Sequence, residues 1–464
     1  MSQYQLGRLL GVSDKAVSKW ETGLSSPNSK LLFRICDALC LSPNELIGGV
    51  GDDLVNKIEH IKIQRKVWAD IDNSLFQKYG HCPPIEIVSR YEKEKLSIKN
   101  SDLIGLLNVI SRILNGAKKA GIPLLVLGGL GSFLAYIYGI TDINPLPPHY
   151  YCPNCKSIHF EKQYKNGWDL PPKYCECCQT ELIRDGHGIP YEVYQHVLSN
   201  SVSADIVVSQ NNYKQIQQMV SALVEEWSID IIDYPNDSGY FRNTKSYVFK
   251  PINRRREVRV DYTNITEIEY RERISGYPFL NIIINDNYDS LFKLENSSGN
   301  IRFKAFIPSD ELLENIKIHL ASSGSDNKLK GLFNNHGISS YDELIYLFGK
   351  ELSKKENCMA GDICSSAEYG RIVFRDDLYL AIKEKLLQYG CFDSEIAFLI
   401  MNNARRGIYS KNKIDLQTKK MLFDMGFNDS FVLYLESIKY MFSKSFVIQC
   451  VERELRATWN EIDQ

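Results

Sequence analysis

The sequence predicts a multidomain α+β chain: an all-α N-terminal segment, a central mixed sheet carrying a cysteine-rich insertion, and a helical C-terminal region. Three observations predict it. Residues 2–50 hold short leucine-bearing segments that open on serine, strand-type apolar runs recur between Leu124 and Asn285, and residues beyond Asp310 repeat apolar positions at helical spacing. A chain of 464 residues is long enough for roughly two to four domains, and its 44% hydrophobic and 24% charged fractions are those of a folded protein.

Lys+Arg 55 against Asp+Glu 57 leaves a net charge of -2, so any nucleic-acid surface must come from local clustering. No run of about 18 apolar residues occurs. The longest candidate, Ile122 to Ile140, is broken by glycines, and the N-terminus lacks a basic segment followed by an apolar core. No membrane partner is expected, and the expected compartment is the cytoplasm.

Ser2 caps a helix carrying Leu6, Leu9 and Leu10, Gly11-Val12-Ser13 makes a tight turn, and Ser13 caps a second helix running through Thr22. In that second helix Val17, Trp20 and Glu21 face inward or brace the turn. Asp14, Lys15, Ser18 and Lys19 then lie on the outer face, where they can enter a groove. Ser29 to Leu39 gives a further amphipathic helix with Leu31, Leu32, Ile35 and Leu39 as its stripe, and Asn44 to Ile47 closes the unit.

Ser2-Gln3-x-x-Leu6, Gly11-Val12-Ser13 and Val17-Ser18-Lys19-Trp20-Glu21-x-Gly23-x-x-x-Pro27 resemble the Cro/repressor-type (XRE-like) helix-turn-helix family. The resemblance implies double-stranded DNA as a partner, with Gln3, Asp14, Lys15, Ser18 and Lys19 as base and phosphate contacts, and pairing of two copies on half-sites. The alternative is a small helical bundle used for protein contacts. The family's first helix, which precedes the Ser-Gln pair, has no counterpart here, so either the true start lies upstream or the domain leans on its neighbour.

Residues 51–78 read as a helical connector with Leu54, Ile58, Ile61 and Trp68 on one stripe, and a longer helical stretch follows to about Lys119. Leu124 to Leu127 is a short strand leading into Gly128-Gly129-Leu130-Gly131-Ser132 and a helix. Backbone N–H groups at such a turn can hold a phosphate, which makes Gly128, Gly129, Gly131 and Ser132 candidate phosphate-binding residues. Packing without a ligand is the other reading.

Of 12 cysteines, five fall at Cys152, Cys155, Cys175, Cys177 and Cys178. Cys152-x2-Cys155 and Cys175-x2-Cys178 fit the template for tetrahedral Zn2+, with Cys177 able to replace Cys178. Four thiolates leave no open position, so such a site is structural. Coincidental thiols in a loop are the alternative.

Around these cysteines, Asn144-Pro-Leu-Pro-Pro-His149-Tyr150, Gly167-Trp168-Asp169-Leu170-Pro171 and Asp185-Gly186-His187-Gly188-Ile189-Pro190 resemble the palm of the PolC-type DNA polymerase III family. The likeness begins near Tyr79 and returns at Leu291 to Glu295, Arg375 to Asp377, Arg405 to Gly407 and Lys439 to Lys444. It implies a palm-like mixed sheet with a zinc-ribbon-like insertion, followed by a fingers-like helical region. The expected layout is therefore a helix-turn-helix domain at 1–50, a connector at 51–78, a palm-like domain at 79–310 with the four-cysteine insertion at 150–180, and a fingers-like region at 311–464.

Polymerisation needs carboxylates holding two Mg2+ ions. In the family an Asp-x-Asp pair on one strand supplies two of them, since strand residues i and i+2 share a face. Here Asp205 is kept, Val207 stands at the second position, and Ile283 falls where a third aspartate is expected; a shift of a few residues admits Asp286 or Asp289. The family's Gln-His-Pro-Gly-Gly run has no counterpart. No catalytic residues are expected on this reading. Asp205 with Asp261 is the residual pair through which Mg2+ would act if catalysis persists, and Gly131-Ser132 with Asp142-x-Asn144 only mimics the pattern of small nucleotidyltransferases.

Between residues 242 and 259 seven positive residues, including Arg254, Arg255, Arg256 and Arg259, face Glu257 alone and interleave with Tyr240, Phe241, Tyr247 and Phe249. Phosphate binding with base stacking is the functional reading; a solvated hairpin or an acidic protein partner is the other. Arg405-Arg406 and Lys439 to Lys444 touch phosphate if a fingers-like role persists. The sequence thus points to a DNA-binding regulator whose polymerase-like body is inactive and binds nucleic acid, nucleotide or a partner. A decoy or modulator of the replication proteins and a residual nucleotidyltransferase are its rivals.

Overall fold

A computed structural model describes residues 2–39, 52–99, 103–122, 124–128, 131–193, 203–227, 229–233, 245–249, 279–284, 310–322, 328–355 and 372–462. The chain forms two compact units, Met1–Asp70 and Ile71–Gln464.

In the first unit α1 (Gln3–Leu10), α2 (Asp14–Glu21) and α3 (Ser29–Leu39) pack around buried Leu10, Val17, Ile35 and Cys36. Both helix starts are set by their serines. Ser2 and Gln5 exchange side-chain and backbone bonds in a reciprocal cap, and Ser13 Oγ accepts the Ala16 amide at 3.2 Å. Gly11 closes α1 in the left-handed region at φ 71°, where a β-carbon would be strained. Arg34 ties α3 to α1 by donating to the Leu9 carbonyl at 3.0 Å. The expected closing segment Asn44 to Ile47 lies outside the described residues.

Residues 52–79 form one helix, α4 (Asp52–Tyr79). Of the predicted stripe, Trp68 is only half-buried, while Ile71, Leu75 and Tyr79 are buried further on. The helical stretch expected up to about Lys119 comprises α5 (Ile85–Lys99) and α6 (Leu103–Ala120).

The central sheet runs β1 (Leu125–Gly128), β5 (Ser203–Val208), β8 (Phe279–Ile284), β7 (Lys245–Phe249) and β6 (Ile229–Asp233) in spatial order. It is mixed, because β5 and β8 run parallel and the other neighbours antiparallel. α7 (Phe133–Ile137) follows β1, and α8 (Gln210–Trp227) follows β5 and packs on α6, β6 and β8. Ala204, Ile206 and Val208 alternate along one buried face of β5. A separate three-stranded antiparallel sheet places β2 (His149–Tyr151) between β3 (Ile158–Phe160) and β4 (Ile183–Asp185).

The remainder is helical: α9 (Asp310–Ser322), α10 (Lys328–Asn335), α11 (Tyr341–Lys355), α12 (Arg375–Gln388), α13 (Ser394–Arg405), α14 (Ile408–Asn412), α15 (Leu416–Asp424), α16 (Asp429–Ser437) and α17 (Lys444–Ile462). These helices share one large core that includes Leu378, Ile382, Leu386, Ile400 and Leu435 with Ile143, Trp168 and Ile189 from the ribbon side. The apolar positions repeated at helical spacing beyond Asp310 are only partly inward, since Leu399 on α13 and Leu433 on α16 are exposed. No helix among the described residues is long and apolar enough to cross a membrane.

Candidate nucleic-acid interface and metal centre

In the first unit the turn between α1 and α2 leaves Asp14, Lys15 and Lys19 exposed and Ser18 half-buried on one side of α2. Gln3 is exposed at the first turn of α1, and its Nε2 donates to Glu21 Oε2 at 2.6 Å, joining the start of α1 to the end of α2. Glu21 is therefore a surface brace and not an inward-facing residue. Trp20 is half-buried.

In the second unit the four sulfurs of Cys152, Cys155, Cys175 and Cys178 lie within 4.8 Å of one another. Cys152 and Cys178 approach to 3.4 Å, as do Cys155 and Cys175. A tetrahedron of Zn–S bonds near 2.3 Å has sulfur–sulfur edges of about 3.8 Å, so the donor set fits a thiolate-bound metal such as zinc.

Two matching turns build the cluster. In one, the Cys152 amide bonds the Ser157 carbonyl at 2.8 Å and the Lys156 amide bonds the Cys152 carbonyl at 3.1 Å; in the other, Cys175 pairs with Thr180 at 2.8 Å and Gln179 with Cys175 at 2.9 Å. Lys156 and Gln179 hold left-handed φ values of 64° and 56°, the conformation that wraps each x2 pair around one point. The Ser157 and Thr180 hydroxyls both reach the sulfurs. Ser157 Oγ stands 3.4 Å from Cys175 Sγ and lowers that thiol, while Thr180, 3.2 Å from Cys178, pulls Cys178 down to about 6. Cys177, the alternative ligand, is exposed and is not part of the convergent set. Beneath the cluster Tyr150, Leu170 and Leu182 bury Cys152 and Cys175 in a small apolar core.

The strand that would hold catalytic acids is β5. Asp205 is half-buried and registers with Leu127 on β1 and Asn281 on β8, while Val207 registers with Leu125 and Ile283. Val207 is 3% exposed. Asp261, Arg254, Arg255, Arg256 and Arg259 lie outside the described residues; of the expected basic strand pair, Lys245 to Phe249 is strand β7.

Among the glycine-turn residues, Gly129 and Leu130 are outside the described residues. The amides that a phosphate would use at the following helix are engaged: Glu94 accepts from Phe133 and Leu134, each at 3.0 Å, and Ser132 Oγ accepts from Ala135 at 3.0 Å. A buried carboxylate thus already balances the start of the helix that follows Gly128, Gly129, Gly131 and Ser132. Glu94 is fully buried and is itself paired with Arg90 Nε at 2.6 Å.

The acid-x-acid mimic also dissolves. Asp142 pairs with Arg456 at 3.2 Å, and Asn144 is buried, donating to Asp185 at 2.9 Å and Tyr79 at 3.1 Å. Asp185 also accepts from Tyr136 and from the Gly186 amide. Burial pushes its carboxyl up, but Lys78, His149 and the Tyr136 hydroxyl hold it below the usual range. Gly167 packs on this residue so closely that a β-carbon there would meet the Asp185 carbonyl at 2.1 Å. Of the C-terminal cations, Lys444 turns inward to the His187 carbonyl at 3.0 Å and Arg405 bonds Asn402 at 2.9 Å, whereas Arg406 and Lys439 are exposed. Burial and the neighbouring Arg375 lower Arg405 to about 10.

Residues 1–46 match the helix-turn-helix family. Among curated proteins, the chain is similar to the PolC-type DNA polymerase III of Lacticaseibacillus paracasei, 35% identical over 135 residues, which is 28% of this chain and 9% of that protein. The corresponding enzymes of Streptococcus suis and Staphylococcus haemolyticus are each 38% identical, over 122 and 119 residues, covering 26% and 25% of this chain and 8% of each relative. The chain thus spans less than a tenth of the length of these relatives, and carries a helix-turn-helix segment together with a PolC-like one.

Proposed function

We propose that the protein is a DNA-binding regulator whose helix-turn-helix reads double-stranded DNA through Gln3, Asp14, Lys15, Ser18 and Lys19. The observation that carries this reading is the capped α1–turn–α2 pair with Asp14, Lys15 and Lys19 exposed on one helix, within the segment matching the helix-turn-helix family. A cytoplasmic setting and pairing of two copies on half-sites belong to the same reading.

The PolC-like body then acts without polymerising. Supporting this, Val207 and Ile283 occupy the register beside Asp205 where metal-binding acids are needed. Cys152, Cys155, Cys175 and Cys178 would hold Zn2+, which supplies structural cross-linking of the ribbon and no reactive position.

The test is selection of a duplex from a randomised library by the full chain, followed by titration of Lys15→Ala and Lys19→Ala. Each is expected to weaken binding and to reduce the dependence of log K on log salt by about one unit if the lysine contacts a phosphate. Failure to enrich any sequence, with binding indifferent to both lysines, overturns the reading.

The similarity to PolC favours a second reading, a modulator of the replicative polymerase machinery. Retention of purified clamp-loader or polymerase-associated proteins by the full chain, in the absence of duplex selection, would establish it.

A further inference from the structure

The Gln3–Glu21 bond is the one side-chain link between the start of α1 and the end of α2 among the described residues, and it lies beside the exposed residues of the proposed DNA face. We infer that Glu21 is a positioning residue that sets which end of the Gln3 carboxamide DNA meets. The inference rests on the DNA-binding reading and deepens it.

A free glutamine on a helix surface presents its amide N–H groups or its carbonyl with little preference. A carboxylate is an acceptor only, so the flipped carboxamide would set oxygen against oxygen. With Nε2 2.6 Å from Glu21 Oε2, one amide hydrogen is committed, and the carbonyl oxygen and the second N–H are left on defined sides. The backbone beneath is fixed as well. Ser2 and Gln5 lock the first turn of α1 through reciprocal bonds of 3.2 and 2.8 Å, so the Gln3 stem cannot swing away by fraying. At the other end, Glu21 is the last residue of α2 and Thr22 caps it, with the Thr22 hydroxyl bonding the Ser18 carbonyl at 2.9 Å.

The sign of a substitution separates positioning from plain charge. An exposed carboxylate near DNA repels phosphates, and its removal by itself strengthens binding. A carboxylate that orients a contacting glutamine weakens binding when removed.

The experiment titrates the full chain against the duplex recovered by selection, at fixed salt, using fluorescence anisotropy. Gln3→Ala and Glu21→Ala are each expected to weaken binding about three- to tenfold, the span of one net hydrogen bond, and the double variant no more than either alone. Glu21→Gln can donate as well as accept, so it tethers the Gln3 carboxamide without fixing which end faces DNA, and is expected to lose part but not all of the binding that Glu21→Ala loses. Thermal melting of all variants should match wild type, because both residues are surface-exposed. Tighter binding by Glu21→Ala, multiplicative losses in the double variant, or a Glu21→Gln loss equal to that of Glu21→Ala overturns the inference. A neutral Gln3→Ala alongside a weakened Lys19→Ala overturns it too while the DNA-binding reading stands. Indifference to Lys15→Ala and Lys19→Ala instead removes the reading itself.

Discussion

Val207 and Ile283 are register partners on the parallel strands β5 and β8, two positions along from the pair Asp205 and Asn281. Ligands for Mg2+ are hard oxygens. The register therefore brings two aliphatic residues together beside the one acid, and the expected result is no templated, Mg2+-dependent incorporation of labelled dNTP by the full chain. Incorporation that Asp205→Asn abolishes would refute the inactive reading.

Metal removal should act on the ribbon first. The paired turns at Lys156 and Gln179 hold four sulfurs at one point, and their left-handed backbones are sustained by that convergence. Zinc analysis of the full chain is expected to give one equivalent, and stripping it with a strong chelator should lower the melting temperature. Cys152→Ser should lose the metal, whereas Cys177→Ser should retain it. Unchanged melting after stripping would count against a structural site.

Glu94 provides a stability test away from any ligand. It is fully buried, bonded to two amides and paired with Arg90. Glu94→Ala strands a mostly buried guanidinium and two helix-start donors, with an expected loss of about 3–5 kcal/mol. Denaturant midpoints measured at constant slope read it. A loss below about 1 kcal/mol would mean that water replaces the carboxylate.

Glu452 sets the expected sign of a pH response. Burial, opposed by Arg456 and helped by Asp142 and Asp185, raises its carboxyl to about 7. A carboxyl raised in the folded state binds its proton more tightly there than in the unfolded chain. Its contribution is therefore full below the unfolded value and fades as pH climbs through about 7. Glu452→Gln should gain on wild type between pH 5 and pH 8 in thermal melts. A constant difference across that range would mean that Glu452 does not titrate there.

Local chemistry was legible and long-range chemistry was not. Ser2 and Ser13 signal helix starts because a cap reaches only three residues, and the two Cys-x2-Cys pairs announce convergence by spacing alone. Ile85–Lys99 and Leu103–Ala120 read as one stretch in the sequence because apolar positions recur at helical spacing in both. Glu94 escaped notice for another reason. An acid among lysines on a helix reads as solvated surface, and only tertiary packing reveals that Glu94 answers amides 39 and 40 residues away.

Asp169, in the short turn before Cys175, takes the first two amides of α11 from Tyr341 and Asp342 at 2.6 and 2.9 Å, while its neighbour Trp168 meets the Tyr341 ring edge-on. This clasp is expected to couple the ribbon to the helical layers in calorimetry, so that loss of the thiolate cross-link lowers a single endotherm and adds no separate shoulder.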